Sequence, residues 1–430
     1  MSTSAEQIKI SSKDRQILRK IATEIAEIAA MDAQKEKIAL WTKLNNLEKV
    51  RPLVWINPMH GQVPWNEIGI EKELLCDTQF CRCLELELRK QIYQWHNFRC
   101  DMVIDSTFFC PLMIKVDSFG LEEQGNKIFN NNSSEVASHA YVRLINSEKD
   151  IEKIKTPQVY YDRIGTENNF NVLTDLFNGI LNVVKRGQPG IWFAPWDLLT
   201  TWYGAQEILM DLAFRPELLK MAMERLVNAW SGILEQYQSQ GLLALNNLNW
   251  CPGSGTGGPA YTNKLPQKDF DPSHIRTCDL WGSAAAQIFS SVSPEMHREF
   301  ALEYEIPWLK KFGLTYYGCC EPLHLKVDIL REIPNLRKIS MSAWADIDKG
   351  ATNIGTQFVF SWKPNPSFFA AEQWDEKEIT DYLRKGISSI KKHNCPLEII
   401  LSDVSTIRYD PGRLNSWATI ASEIAEEFQD

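Results

Sequence analysis

Apolar residues recur at Ile17, Ile21, Ile25 and Ile28, at spacings of four, four and three, so the chain opens on an amphipathic helix, expected over 12–48. Arg51-Pro52 ends it, and LVWINP (53–58) reads as a short strand. A loop over 59–75 leads to a second helix over 79–97, and DMVID (101–105) is the next strand. Residues 117–150 are polar and rich in Asn and Ser, the pattern of a surface insertion. Beyond 150 short apolar runs alternate with longer helical ones. GIWFAP (190–195), a helix over 204–240, LLALNN (242–247) and a helix over 293–312 come first, the last with Ser293 as N-cap and Pro294 at its first position. LTYYG (314–318), KISMSAW (338–344), QFVFSWKP (357–364), a helix over 375–392, LEIILSD (397–403) and a helix over 412–428 complete the chain.

Strands that alternate with helices imply a parallel sheet. The seven strands that begin with DMVID, and an eighth expected within 276–289, predict a (β/α)₈ barrel of the TIM type over 99–430. Residues 1–98 precede it, with helices over 12–48 and 79–97, as an N-terminal region expected to pack against the barrel. Such barrels place their chemistry at the C-terminal strand ends. Here those ends carry Asp105, Pro195 to Asp197, Asn246 and Asn247, Cys319 to Glu321, Ser342 to Asp346, Ser361 to Lys363, and Asp403. Polar and thiol side chains recur there while the strand bodies are apolar, and this asymmetry points to an enzyme.

Composition narrows the classes. A formal charge of −9 over 430 residues argues against a nucleic-acid partner, which wants a basic face. No run of about 18 apolar residues would span a membrane, and MSTSAEQIKISSKDRQ lacks the apolar core of a secretory signal. The expectation is a cytoplasmic protein whose ten cysteines are reduced. Fifteen Trp are the one excess, and Trp-bearing loops can line a pocket for a flat, apolar ligand.

The richest stretch is LTYYGCCEPLH (314–324), a strand that runs into Cys319, Cys320 and Glu321 with His324 beyond. If the strand continues, the two thiols point to opposite faces, and only one joins Glu321 or His324 in a pocket. Cys76, Cys81 and Cys83 do not converge on a helix and read as structural. The glycine cluster CPGSGTGGPAY (251–261) lacks the Gly-Lys-Ser/Thr ending of a phosphate loop and reads as a loop over the barrel mouth. Asp346 and Lys363, at neighbouring strand ends, are candidates for an ion pair, and Lys363 also for a substrate carboxylate.

Several segments resemble the uroporphyrinogen decarboxylase-like superfamily: WTKLNNLEKVRPLVWI (41–56), VSPEMHREFALEYE (292–305), GLTYYGCCEPLH (313–324), IPNLRKISMSAWADIDK (333–349) and FSWKPNP (360–366). Within it they are most similar to the branch of methyltransferase I components of corrinoid-dependent O-demethylases. The resemblance implies the barrel with its helical extension. It also implies transfer of a methyl group from an aryl methyl ether to the Co(I) centre of a separate corrinoid protein. Zinc is associated with that branch through a spacing E-x14-E-x20-H. Glu303 and His324 have the second interval, but the position for the first glutamate is Ile288. The resemblance therefore implies either a metal site rebuilt from Glu303, Cys320, Glu321 and His324, or no metal, with Glu321 as the proton donor. Glu321 and His324 would activate the ether oxygen, and Asn246, Trp344 and Lys363 would hold the ring and any carboxylate. Alternatives are a decarboxylase, a methyltransferase for thiol or amine donors, and a non-catalytic ligand- or corrinoid-binding barrel. A homo-oligomer is left open.

Overall fold

The computed structural model describes residues 9–58, 61–129, 137–253 and 257–428. Among them lie β1 (Leu53–Ile56), β2 (Thr107–Pro111), β3 (Met113–Val116), β4 (Gly125–Phe129), β5 (Ala137–Tyr141) and β6 (Val159–Asp162). They are followed by β7 (Asn182–Arg186), β8 (Trp281–Ala284), β9 (Leu314–Tyr317), β10 (Leu336–Met341), β11 (Val359–Trp362) and β12 (Leu397–Leu401).

Six of these strands form one parallel sheet in the order β1-β12-β11-β10-β9-β8. β1, β8, β9, β11 and β12 are buried along their whole length, as strands are when helices cover one face and other chain fills the second. Irregular segments continue the wall at both edges. The Asp101 N–H donates to the Val54 carbonyl at 2.8 Å beyond β1. Beyond β8 the Asn246 side chain pairs with both backbone groups of Trp281, at 2.9 Å each. The fold is α/β of the TIM type, with one regular wall and one irregular one.

The irregular wall is where sequence and structure part. DMVID and LLALNN carry no continuous ladder, and the pairing near the first is displaced to β2, which runs parallel to β7. GIWFAP is not a strand; Pro195 opens the helix Pro195–Tyr203 instead. Gly187, Pro189, Gly190 and Pro195 explain this, since proline removes ladder donors and glycine weakens extended pairing. The eighth strand falls in the expected window, as β8.

The helix over 79–97 and the two C-terminal helices stand within a residue of expectation, as Gln79–Asn97, Glu376–Lys392 and Gly412–Glu427. Two others break. The first divides into Ser12–Ala29 and Asp32–Asn45, and Pro216 divides the third into Ala205–Phe214 and Pro216–Ser239. The region 1–98 is not only helical, because it supplies β1 to the main sheet. The polar insertion holds the antiparallel pair β4 and β5; residues 130–136 lie outside the described ones, as does His60. No helix among the described residues is long and apolar enough to cross a membrane.

The described part of the glycine cluster does not lie over the mouth. Its described flanks, 251–253 and 257–261, run inside the fold against the sheet. A Cβ on Gly253 would stand 2.8 Å from the Tyr316 ring, and one on Gly258 2.4 Å from the Trp41 ring. Only glycine permits so close a backbone approach. Asn45 Nδ2 donates to the carbonyls of Pro259 and Tyr261 at 2.9 and 2.8 Å, and Trp281 Nε1 to that of Ala260 at 3.1 Å. Beside this segment a fully buried ion pair joins Lys338 on β10 to Glu398 on β12, 2.6 Å apart. Glycine segment, tryptophans and ion pair together fill the interior beside β9, β10 and β12.

Candidate functional site

Side chains of β9 alternate, so the adjacent Tyr316 and Tyr317, both fully buried, face opposite sides of the sheet. Tyr316 faces inward with Ser340 of β10, Ser361 of β11 and Lys363 just beyond. Lys363 Nζ donates to Tyr316 Oη at 2.8 Å and to Ser340 Oγ at 2.7 Å. Tyr316 Oη lies 3.0 Å from Ser361 Oγ. With its lone pairs turned to the ammonium, the phenol donates to Ser361. Ser340 in turn donates to the Cys319 carbonyl. Burial pulls the Lys363 pKa down, but the Tyr316 oxygen, which presents its negative end and accepts a hydrogen bond, and the neighbouring thiols outweigh it, so the amine is held above its ordinary value. The buried Lys363 thus stays a cation among hydroxyls, and no described carboxylate pairs with it. One register step above Ser340, the buried Ser342 Oγ has no hydrogen-bond partner.

Above this cluster stand the two cysteines, and here strand geometry misleads. β9 stops at Tyr317, and Gly318 adopts φ +97°, which turns the chain before the thiols. Their sulfurs therefore meet at 3.5 Å rather than pointing apart. The hydrogen bond with Cys319, then burial, push the half-buried Cys320 thiol pKa up. Its sulfur also lies 3.7 Å from Asp403 Oδ2, at the end of β12.

The other expected site residues scatter. Glu321 is fully buried and accepts the N–H groups of Cys319 at 2.7 Å and Ala286 at 3.3 Å, one on each oxygen. It fastens the turn after β9 to the end of β8. The half-buried His324 packs beside Gly350 and keeps Nδ1 buried without a partner, and burial lowers its pKa. Glu303 is exposed on the helix Glu303–Leu309. Among the described residues no three His, Cys, Asp or Glu side chains gather so as to hold a metal ion. The set Glu303, Cys320, Glu321 and His324 therefore does not fit zinc. Asn246 gives its amide to the Pro189 and Trp281 carbonyls and its oxygen to the Trp281 N–H, so it seals the wall rather than contacting a ligand. Trp344 stands 76% exposed beyond β10. Asp346 caps the helix Ile347–Ile354 and pairs with Lys349 at 3.5 Å, so it is not the partner of Lys363.

A second polar cluster, unforeseen, lies on the outward face of β9. Tyr317 Oη is 2.7 Å from Glu305 Oε2 and 2.6 Å from His297 Nε2, and Lys326 Nζ is 3.2 Å from His297 Nδ1. Lys326 also donates to the Phe289 carbonyl. The ammonium can only donate, so Nδ1 accepts, Nε2 carries the imidazole proton, and Tyr317 donates to Glu305. Burial, then the Lys326 charge, lower the His297 pKa to about 3 and keep the ring neutral. Burial lowers Lys326 to about 8 and raises Glu305 to about 8, so Glu305 holds a proton at neutral pH. Its buried, unpartnered Oε1 is the place for that proton. Nearby Asp197 accepts from Gln287 at 2.6 Å and is raised to about 6, chiefly by burial. A sequence signal for this cluster exists: His297, Ala301, Glu305 and Leu309 recur every four residues and share one buried helix face.

No known family profile matches the chain, and a comparison with curated proteins finds no match. Among solved structures the chain is similar to a methyltransferase from Methanosarcina mazei, at 8% identity and a TM-score of 0.44, over 89% of this chain and 97% of that one.

Proposed function

We propose that this protein is a methyltransferase that removes the methyl group of a methoxylated aromatic compound and passes it to a separate corrinoid protein. The observation that carries the reading is the buried Lys363 ammonium, surrounded by Tyr316, Ser340 and Ser361 and paired with no described carboxylate. A buried cation without a counter-charge is costly unless a ligand supplies one. An aryl ether supplies it as it reacts, because negative charge grows on the oxygen that the methyl group leaves.

The Co(I) centre of the partner would supply the nucleophile; the rest falls to this chain's own residues. Lys363 is directed at the leaving oxygen and stabilises the phenolate, which is electrostatic preorganisation in a site that excludes water. Tyr316 holds the ammonium in place through its hydroxyl, and the orphan Ser342 hydroxyl offers a further polar contact to the ring. Trp344 at the rim offers a stacking face. This assignment moves the activating role from Glu321 and His324 to Lys363, and no step runs through zinc.

The test mixes the protein with a reduced corrinoid protein and a panel of methoxybenzoates and methoxyphenols. The corrinoid spectrum is expected to change to that of its methylated form with at least one donor. No change across the panel would sink the proposal.

A further inference from the structure

Arg186 closes β7, and its place there is unusual. Lys185 points to the helix Arg163–Phe177, where it meets Glu167 and lies 4.7 Å from the Phe170 ring centroid. Phe108 of β2 packs on Phe177 of that same helix. Alternation therefore turns Phe109 and Arg186 to the other face. There the guanidinium carbon sits 4.3 Å over the Phe109 ring. Its Nε and Nη2 are both buried and donate to nothing. Arg186 forms no ion pair with a described residue, though the charge of Asp105 acts on it.

These two nitrogens belong to one edge of the guanidinium, the edge whose parallel N–H bonds match the two oxygens of a carboxylate or phosphate. Arginine cannot shed its proton to escape burial. A native protein rarely leaves such donors unsatisfied without a reason. The ring of Phe109 fixes the plane, so the edge is already oriented. Arg186 pairs with Pro111 at the C-terminal end of the β2–β7 ladder, and the Asp105 charge also acts on it.

We propose that Arg186 is an oxyanion receptor, whose Nε and Nη2 bind a carboxylate or phosphate group of a small ligand held beside Phe109. This site shares no hydrogen-bond partner with the Lys363 cluster and does not depend on methyl transfer. It answers a shortage in the sequence, where Lys363 is the one obvious cation at a strand end.

Thermal unfolding and calorimetric binding of the whole chain test it, with sodium benzoate, inorganic phosphate, and sodium chloride at matched ionic strength. Wild type is expected to gain several degrees in Tm, saturably, with benzoate, with phosphate or with both, and not with chloride. A benzoate response identifies a carboxylate ligand, and a response to phosphate alone identifies a phosphate. Arg186→Gln should abolish the response yet melt no lower than wild type without anion, since it removes two buried donors that have no partner. Arg186→Lys, which keeps the charge but loses the paired edge, should bind at least tenfold more weakly. The proposal is overturned if neither anion acts, if Arg186→Gln responds like wild type, or if Arg186→Gln melts lower without anion. A response that survives Arg186→Gln but disappears in Lys363→Met belongs to the Lys363 cluster and also overturns it. None of these readings uses the corrinoid assay, so they stand whatever that assay returns.

Discussion

Tyr316 and Tyr317 are neighbours on one strand with the same side chain and the same burial, yet their surroundings differ in kind. Tyr317 belongs to a chain that runs from lysine through histidine and tyrosine to a protonated glutamate; the Glu321 carboxylate acts on its lysine, and Glu305 Oε1 is its orphan atom. Tyr316 belongs to a group with a surplus: a positive charge among neutral hydroxyls and, nearby, an orphan serine. A buried cation with a carboxylate near it is balanced from within, whereas one without awaits a charge from outside. The outward side of β9 is accordingly read as architecture and the inward side as chemistry.

The comparison breaks most visibly at Lys363. Lys363→Met should lower the methyl-transfer rate by roughly 10²–10³, the effect typical of losing one charge-stabilising donor. Its melting temperature should stay level or rise. Tyr317→Phe should do the reverse. It leaves Glu305 and His297 without their shared partner and should cost about 1–3 kcal/mol in urea unfolding, with the rate changed by less than about threefold. Tyr316→Phe removes one hydrogen bond to the ammonium and should slow turnover by roughly tenfold, worth about 1.4 kcal/mol.

Acidity sharpens the contrast. Glu305 rises from 4.5 to about 8, so between those values the folded state holds a proton that the unfolded state has lost, and stability falls as pH rises. Asp197, raised from 3.8 to about 6, contributes in the same sense only below pH 6. His297, lowered from 6.5 to about 3, acts oppositely and only below 6.5. Lys326, lowered from 10.5 to about 8, acts oppositely and only above 8. From pH 6.5 to 8 the Glu305 contribution stands alone in this cluster. Wild type should lose stability across that window and Glu305→Gln should lose less, as measured by urea midpoints. The smallest effect is expected at the rim: Trp344→Ala should leave stability within about 0.5 kcal/mol and raise KM alone.

The sequence made the regular wall legible because its strands are short apolar runs bounded by helices, and β8 to β12 fall where the pattern puts them. It also marked Lys363 and the segment after β9. The rest depended on geometry that no local pattern encodes. One left-handed residue, Gly318, brings together two thiols that alternation would separate. The glycines at 253 and 258 serve close packing on Tyr316 and Trp41 rather than motion over a ligand. Glu321 and Asn246 look like ligand-binding types, but backbone groups from distant segments already occupy them. The spacing that suggested Glu303 could not reveal that Glu305, two residues on, is the one that turns inward to the sheet.

Turnover and stability measured side by side in Lys363→Met and Tyr317→Phe, with a methoxybenzoate donor and a reduced corrinoid protein, test the central claim most directly. The account predicts that Lys363→Met loses at least roughly 10²-fold in rate with an unchanged unfolding midpoint, and that Tyr317→Phe loses stability with its rate nearly intact. The opposite pattern, a Lys363→Met that turns over normally beside an inactive but stable Tyr317→Phe, would contradict it.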